Sequence, residues 1–203
     1  MKLYYSPGAC SLAPHIVARE AGVAVDLVKV DLKAHKTEQG DDYYAINPRG
    51  YVPAVTLDDG TLLTEAGTLV QMLADRGKAN GLIPAAGTPE RLKVQEWLTF
   101  IGTELHKTIG WLFQADIEPG TREKVLTRTA ARLGDIDKRL EGRNFLTGND
   151  FTVADAYAFT IINWTNFVGI DLAPYPNIQA FMARVADRPK VREALAAEGL
   201  LPA

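Results

Sequence analysis

The sequence predicts an α/β domain followed by an all-α domain, and three observations indicate this division. Over residues 1–77, short runs rich in valine, leucine and tyrosine alternate with amphipathic stretches, which is typical of a small mixed sheet with helices. Glycines and prolines interrupt residues 78–88, which we interpret as a linker. From residue 89 to 203, apolar residues recur at helical spacing and no segment alternates like a surface strand, so this domain is expected to be all helix.

Length and composition are those of a globular protein with room for two domains. The chain has 203 residues, of which 47% are hydrophobic and 23% charged, and its net charge is −3. The charges form no block of one sign, so nothing indicates binding to nucleic acid or to an anionic membrane. No apolar run approaches the ~20 residues of a transmembrane helix. The one cysteine cannot form an intrachain disulfide, and we expect a soluble, cytoplasmic protein.

The first domain is predicted to run β-α-β, then a loop, then a hairpin and a helix. Gly22 is a typical residue after a helix end, and Thr64 is expected to cap the start of the last helix. The predicted elements are a strand at 2–5, a helix at 12–21, a strand within 23–32, a loop or weak helix at 33–42, a helical turn at 43–46, a hairpin at 52–63 and a helix over 65–76.

The second domain is predicted to open with one long helix that has a continuous apolar face. Thr88 and Pro89 are a cap and a first helical residue, and the apolar face extends to residue 112. A later capping box, Thr152 with Asp155, is expected to start a central buried helix to about residue 168, to which we assign no chemistry. Further helices are expected at 122–140, 176–185 and 189–198.

Cys10 lies where the first predicted strand gives way to the first predicted helix. The N–H groups at a helix start are unsatisfied and carry partial positive charge. Such a location lowers the pKa of a thiol and favours the reactive thiolate. A lone cysteine is also commonly a small buried apolar residue, so the placement alone leaves both roles open.

Several kinds of site are excluded because their partner residues are missing. A redox Cys-x-x-Cys pair would need a second cysteine where Ala13 stands. The histidines at 15, 35 and 106 are far apart, and none has a carboxylate pair at helical spacing, so no metal site is expected. The sequence contains neither a glycine-rich phosphate loop nor a Gly-x-Ser-x-Gly elbow.

Two polar features each allow two interpretations. Glu65 at a helix start can simply pair with the helix dipole, the interpretation that the sequence alone favours. Alternatively, its carboxylate can bind a ligand amine while the N–H of Ala66 binds a ligand carboxylate. His106 is ordinarily a core or rim residue in such a helix, whereas with Lys107 it could bind an acidic ligand or help hold a thiolate.

Four segments together resemble the cytosolic glutathione transferases, specifically the bacterial beta class. These segments are Lys2–Ser11, Asn47–Pro53, Leu63–Glu65 and Phe151–Tyr157, and they follow the family order along the whole chain. The resemblance implies a thioredoxin-like N-terminal domain, an all-helical C-terminal glutathione-transferase domain and a homodimer. It also implies a glutathione site in the cleft between the two domains.

The resemblance implies specific roles in binding glutathione. Cys10 would lie beside the glutathione sulfur and could form a mixed disulfide with it. Val52 would pair main chain to main chain with the cysteinyl part of the tripeptide, next to a cis Pro53. Glu65 would hold the γ-glutamyl amine, and the N–H of Ala66 would hold the adjoining carboxylate.

The resemblance implies further contacts, and at several of these positions the sequence departs from the family pattern. His106 and Lys107 would reach toward the thiol from the second domain. His35 stands where a lysine commonly contacts the glycyl carboxylate, and a histidine is mostly neutral at pH 7. Thr99 and Thr103 replace a common asparagine and serine, and alanine at 66 replaces a glycine or serine. We therefore expect weaker glutathione binding than in close relatives.

These inferences predict a transferase that stabilises the glutathione thiolate and adds it to a hydrophobic electrophile. Two alternatives remain: a glutathione-dependent thiol–disulfide reductase that uses Cys10, and a non-catalytic carrier of apolar ligands. Detoxification and catabolism both fit a transferase. Apolar side chains of the second domain are expected to line the electrophile pocket, namely Trp111, Phe113, Trp164 and Phe167.

Overall fold

The computed structural model describes residues 1–77 and 81–201, which fall into two compact units. The first unit takes in the described residues of Met1–Asn80 and Arg188–Ala203, and the second is Gly81–Asp187. The predicted limits 1–77, 78–88 and 89–203 stay a prediction, and residues 78–80 of the predicted linker lie outside the described residues. Within the described ranges, no helix is both long and apolar enough to span a membrane.

The first unit is built on a five-stranded mixed sheet with the strand order β3-β2-β1-β4-β5. The central strand β1 (Lys2–Tyr5) is parallel to β2 (Asp26–Asp31) and antiparallel to β4 (Ala54–Thr56). Beyond them, β5 (Leu62–Thr64) pairs with β4, and β3 (Lys36–Thr37) pairs with β2. The predicted α/β class is confirmed. The prediction of a loop or weak helix over 33–42 missed β3, which at two residues is too short to show an alternating pattern.

Ten α-helices are present among the described residues. They are α1 (Leu12–Ala21), α2 (Tyr43–Ile46), α3 (Ala66–Arg76), α4 (Pro89–Phe100), α5 (Lys107–Gly110), α6 (Pro119–Leu140), α7 (Val153–Ile162), α8 (Thr165–Val168), α9 (Pro176–Ala186) and α10 (Pro189–Ala197). Within the first unit, α1 packs against both α3 and α10. Gly22 ends α1 as predicted, with a left-handed φ of 67° and its N–H bonded to the last turn.

The sheet of the first unit has a small apolar core on each face, as its strand pattern requires. Leu3 and Tyr4 are consecutive in β1 and therefore point to opposite faces. Leu3 packs with Val55 and with Leu69 of α3. Tyr4 belongs to a second cluster of buried residues: Tyr4, Val28, Val30, Tyr43, Val52 and Ala54.

The second unit contains helices and no strand within its described residues. As predicted, Thr88 caps α4 by accepting a hydrogen bond from the N–H of Arg91. The predicted long helix is present as a continuous run from α4 through α5 to a 3-10 turn at Trp111–Phe113, but it is not α-helical throughout, because a π-helical segment, Ile101–His106, lies between α4 and α5. Ile101, Leu105 and Ile109 are all fully buried at successive spacings of four. A wider turn keeps this spacing on one face.

The capping box predicted at Thr152 and Asp155 is present. The Asp155 carboxylate accepts from the N–H and hydroxyl of Thr152 at 2.8 and 2.9 Å and from the N–H of Leu146 at 2.8 Å. Burial raises the pKa of Asp155 to about 6, against the lowering effect of these donors. Every residue of α7 is buried, but the helix ends at Ile162 rather than near 168, and α8 is separate.

Candidate functional site

One end of the sheet collects all the sequence-predicted site residues of the first unit. Strand β1 leads at this end into the segment that holds Cys10, and the parallel strand β2 leads into the segment of His35. Ala54 pairs with Tyr4 on one side and with Thr64 on the other, both antiparallel. The start of β4 and the end of β5 therefore lie at the same end. The pairing of the strands therefore brings the predicted residues to one end of the sheet, although they are far apart in the sequence.

Cys10 is held against the loop that precedes β4. Its Sγ donates a hydrogen bond to the carbonyl oxygen of Val52 at 3.2 Å, and the residue is 9% exposed. Only a protonated thiol can donate this bond. The peptide bond between Val52 and Pro53 is cis, as the family resemblance implied. The thiol and the main chain of Val52 are therefore immediate neighbours.

Two buried side chains fix the loop before Val52. The Tyr43 hydroxyl and the Asn47 side-chain amide each donate to the carbonyl oxygen of Tyr51, both at 2.8 Å. Burial raises the pKa of Tyr43 to about 12, so the phenol keeps the hydrogen that it donates. These bonds orient the main chain of the loop independently of any ligand.

The loop that carries Cys10 has its own anchors. Ser11 closes it by accepting from the N–H of Ser6 at 3.1 Å and donating to the carbonyl of Ser6 at 3.2 Å. Gly8, with a left-handed φ of 72°, donates its N–H to Oε2 of Glu198 at 2.9 Å. Glu198 follows α10, and no local sequence motif indicates a role near Cys10.

Glu65, the residue directly before α3, has an unusual backbone conformation. Its φ of 71° and ψ of 117° are rare for a residue with a side chain, and such a conformation costs about 1–3 kcal/mol. The prediction that Thr64 caps the helix is wrong, because Thr64 ends β5 and Glu65 occupies the cap position. The Glu65 carboxylate, 71% exposed, pairs with Nη1 of Arg49 at 3.3 Å. The N–H of Ala66 opens the helix, where backbone donors lack intrahelical acceptors.

His35 is stacked on an aromatic ring at the edge of the site. Its imidazole lies 4.3 Å from the ring of Tyr44, and its Nε2 is 3.1 Å from the Tyr44 hydroxyl. Its Nδ1 is buried without a hydrogen-bond partner among the described residues. A Cβ at Gly50 would lie 2.7 Å from the Tyr44 ring and 3.1 Å from the His35 ring, so the stacked pair requires glycine there.

In the second unit, the predicted site residues lie on and around the π-helical segment. Thr99 and Thr103 are exposed, and their hydroxyls donate to the carbonyl oxygens of Gln95 and Thr99, each at 2.9 Å. The hydroxyl oxygens keep acceptor capacity for a ligand. Lys107, also exposed, follows four residues after Thr103.

His106 is held in an aromatic surrounding. Its Nδ1 lies 2.7 Å from the Tyr157 hydroxyl, and its ring meets Trp164 edge to face at 4.9 Å. Burial, and secondarily the charge of Lys107, lowers the pKa of His106 from 6.5 to about 4. His106 and Lys107 are therefore not a pair of cations at neutral pH: the imidazole is neutral, and only the lysine is charged.

The apolar side chains predicted to bind an electrophile fall into two groups. Phe113 meets Trp164 edge to face at 5.3 Å, which extends the aromatic surrounding of His106. Phe113 is 50% exposed, so this pair presents apolar surface. Trp111 and Phe167 are 49% and 59% exposed and also present apolar surface. No group of three or more potential metal ligands occurs among the described side chains.

Comparisons with known proteins agree with this arrangement. The family descriptions "Glutathione S-transferase, N-terminal domain" and "Glutathione S-transferase, C-terminal domain" match residues 8–76 and 101–189. Glutathione S-transferase GstA of Escherichia coli O157:H7 is 46% identical over 200 residues, covering 98% of this chain and all of the relative. The chain belongs to the glutathione S-transferase family.

Two solved structures extend the likeness of this glutathione S-transferase to three dimensions. A sphingomonad glutathione S-transferase complexed with glutathione is 44% identical with a TM-score of 0.94, covering 99% of this chain and all of that chain. The bacterial beta class enzyme of Sphingomonas chungbukensis is 45% identical with a TM-score of 0.95 and the same coverage. The predicted resemblance to the beta class is confirmed.

Three contacts of this glutathione S-transferase were missed by sequence reasoning. Arg49, which pairs with Glu65, and Tyr157, which contacts His106, both lie in segments that carry the family resemblance. Their position in these segments is the sequence signal that could have identified them. The central helix, to which we assigned only a structural purpose, brings the hydroxyl of Tyr157 to 2.7 Å from Nδ1 of the predicted site residue His106. Glu198 carried no such signal.

Proposed function

We propose that this glutathione S-transferase binds glutathione at the end of the sheet of its first unit where Cys10 lies. It then adds the glutathione thiolate to a hydrophobic electrophile. The observation that carries the proposal is the meeting of Cys10, the cis Val52–Pro53 peptide and the Glu65 helix start at one end of the sheet. Each of these features offers a group complementary to a different part of the tripeptide.

The proposed binding mode follows from the groups at that edge. The main chain of Val52 pairs with the cysteinyl residue, so that the ligand sulfur lies near Cys10. The exposed Glu65 carboxylate binds the γ-glutamyl ammonium, and the N–H of Ala66 at the positive helix end binds the adjoining carboxylate. His35 is the proposed contact of the glycyl carboxylate, from its position in the family pattern.

The proposed second-unit contribution is stabilisation of the thiolate and binding of the electrophile. Because His106 is neutral, its effect on a thiolate is a hydrogen bond, while Lys107 supplies positive charge. Thr99 and Thr103 are proposed as polar contacts of glutathione. The electrophile is proposed to contact apolar side chains of this unit, which are Trp111, Phe113, Trp164 and Phe167.

A homodimer is proposed together with this function, on the family membership alone. Light scattering coupled to size-exclusion chromatography measures the mass directly. We expect twice the mass of the 22.2 kDa chain, and a mass of one chain at micromolar concentration would contradict the dimer.

The experiment that tests the function is the rate of glutathione conjugation to chlorodinitrobenzene by the wild type, Cys10→Ser and Cys10→Ala. We expect turnover by the wild type and substantial turnover by both variants, because the other donors still stabilise the thiolate. Negligible conjugation by the wild type would overturn the transferase. Rapid reduction of a glutathione mixed disulfide, lost in both variants, would then establish the reductase alternative.

A further inference from the structure

We propose that Tyr157 is a positioning residue: its hydroxyl donates to Nδ1 of His106 and fixes the imidazole as the tautomer that carries hydrogen on Nε2. The tautomer is inferred from the second unit alone. Its consequence for the thiolate rests on the proposed function, in which His106 contacts the glutathione sulfur.

The separation of the two atoms indicates which one donates. The Tyr157 oxygen and Nδ1 of His106 are 2.7 Å apart. An N–H group that donates to an oxygen lies near ~2.9–3.0 Å from it, so 2.7 Å is short for donation by Nδ1–H, whereas hydroxyl donors commonly approach an oxygen acceptor to ~2.7–2.8 Å. The phenol is also the more acidic of the two neutral groups and hence the better donor. Both considerations make Nδ1 the acceptor.

The surroundings keep the ring neutral and fixed in orientation. The imidazole meets the Tyr157 ring at 88° and the Trp164 ring at 78°, so aromatic edges confine it from two sides. Burial lowers its pKa to about 4, and the neighbouring Lys107 acts in the same direction. A neutral imidazole has one donor and one acceptor nitrogen. With Nδ1 as the acceptor, Nε2 is the donor.

This assignment decides what His106 can do in the proposed reaction. An Nε2–H group stabilises an anionic sulfur by hydrogen bonding. It cannot take a proton from the glutathione thiol, since Nε2 already carries one and protonation of Nδ1 would displace the Tyr157 hydrogen. His106 is therefore a hydrogen-bond donor to the thiolate and not its general base.

Nuclear magnetic resonance of the whole protein, labelled with a magnetic nitrogen isotope in its histidines, tests the tautomer at neutral pH. Long-range proton–nitrogen correlations distinguish the protonated nitrogen, and comparison with His106→Gln assigns the signals. We expect His106 to show a single tautomer with hydrogen on Nε2. A hydrogen on Nδ1, or averaging of both forms, would overturn the proposal.

Two variants separate positioning from packing. Tyr157→Phe keeps the ring and removes the hydroxyl, and we expect the His106 signals to shift toward a mixture of tautomers. Trp164→Phe changes the other ring that packs against His106 and leaves Tyr157 in place, and we expect it to leave the tautomer unchanged. A circular dichroism spectrum and a denaturant midpoint like those of the wild type show that each variant is folded. An unaltered His106 tautomer in Tyr157→Phe would refute the role of Tyr157.

Kinetics connect the tautomer to the reaction. Tyr157→Phe is expected to lower kcat for conjugation by roughly 3- to 30-fold, less than the ~10²–10³-fold cost of removing a preorganised donor outright. The KM for glutathione should change much less. A wild type that shows the Nε2–H tautomer but no conjugation would refute the proposed function and leave the tautomer standing. An effect on KM alone would refute the role of His106 as a donor to the thiolate.

Discussion

Nδ1 of His15 lies 2.8 Å from Oε1 of Glu198, and both side chains are fully buried. The second carboxylate oxygen of Glu198 accepts the N–H of Gly8 at 2.9 Å. One side chain after α10 thus holds both α1 and the loop that carries Cys10. A buried carboxylate with two partners is costly to disturb, because the groups that remain lose their compensation.

We predict that Glu198→Ala lowers the free energy of unfolding by about 3–5 kcal/mol, because it removes a buried carboxylate that pairs with His15 and accepts from the N–H of Gly8. Denaturant unfolding measures this change. The matched control is Glu193→Ala on α10, where the exposed pair with Lys190 contributes about 0.5 kcal/mol or less. Equal effects of the two substitutions would contradict the anchoring role.

A second consequence of Glu198→Ala concerns the thiol itself. We predict faster alkylation of Cys10 by iodoacetamide under native conditions, since the loop loses the acceptor of Gly8 and opens more often. Glu193→Ala again serves as the control and should alkylate at the wild-type rate. A rate that is unchanged in Glu198→Ala would show that Ser11 and Val52 suffice to hold the loop.

The carboxylate at the start of α3 is predicted to determine much of the glutathione affinity. Glu65→Gln removes the negative charge opposite the ligand ammonium, and a charged hydrogen bond contributes about 1.5–3 kcal/mol. We expect the Kd for glutathione to rise about 10- to 100-fold by isothermal titration calorimetry. Glu90→Gln, which alters an exposed carboxylate in the first turn of α4, is the matched control. The same Kd in both variants would count against the binding mode.

His35 is predicted to explain weaker glutathione binding than in relatives with lysine there. His35→Lys places a full positive charge near the glycyl carboxylate, and we expect about 3- to 5-fold tighter binding, as for an exposed ion pair. Because exposed pairs are screened, the gain should shrink as salt is raised. Calorimetry at low and high salt checks both effects. A gain that is independent of salt would contradict the electrostatic explanation.

Stability of the second unit is predicted to reflect two opposing titrations. The pKa of His106 falls from 6.5 to about 4 on folding, so below 6.5 the unfolded chain takes up the proton first and the free energy of unfolding decreases as the pH falls. The pKa of Asp155 rises from 3.8 to about 6, so its contribution decreases as the pH rises through that range. The two effects partly cancel in the wild type.

A variant that removes one of the two groups should reveal the pH dependence of stability that the other contributes. In His106→Gln, we expect the free energy of unfolding to decrease by up to about 3 kcal/mol as the pH rises from 4 to 6, because the effect of Asp155 is no longer offset. In Asp155→Asn, the slope should have the opposite sign. Denaturant unfolding at several pH values measures both. Parallel profiles of the two variants would show that neither group titrates as described.

Features of the fold that depend on neighbouring residues were predictable from the sequence. Gly22 ends α1, Thr88 caps α4, and Asp155 closes the capping box, each through bonds within a few residues. The family segments also indicated Cys10 and Glu65, which lie at one end of the sheet because strand register brings them there.

The features that were not predictable depend on distant contacts or on small departures from regular geometry. Glu198 meets His15 across 183 positions of the sequence, and no local pattern indicates that the two are buried together. The π-helical segment departs from an α-helix only over Ile101–His106, where the turn is wider. The hydrogen bond between Tyr157 and His106 also joins distant residues, because it links α7 to the π-helical segment.

The position of α10 has a consequence for synthesis of the chain. The ribosome makes all of Gly81–Asp187 before it reaches Glu198, although Glu198 belongs to the first unit. The sheet that surrounds Cys10 can therefore form early in translation, while its thiol loop waits for an acceptor made after the entire second unit. Nascent chains arrested before α10 would lack this anchor of the loop and carry a more reactive cysteine, and the thiol would gain its full protection only after the second unit has been made.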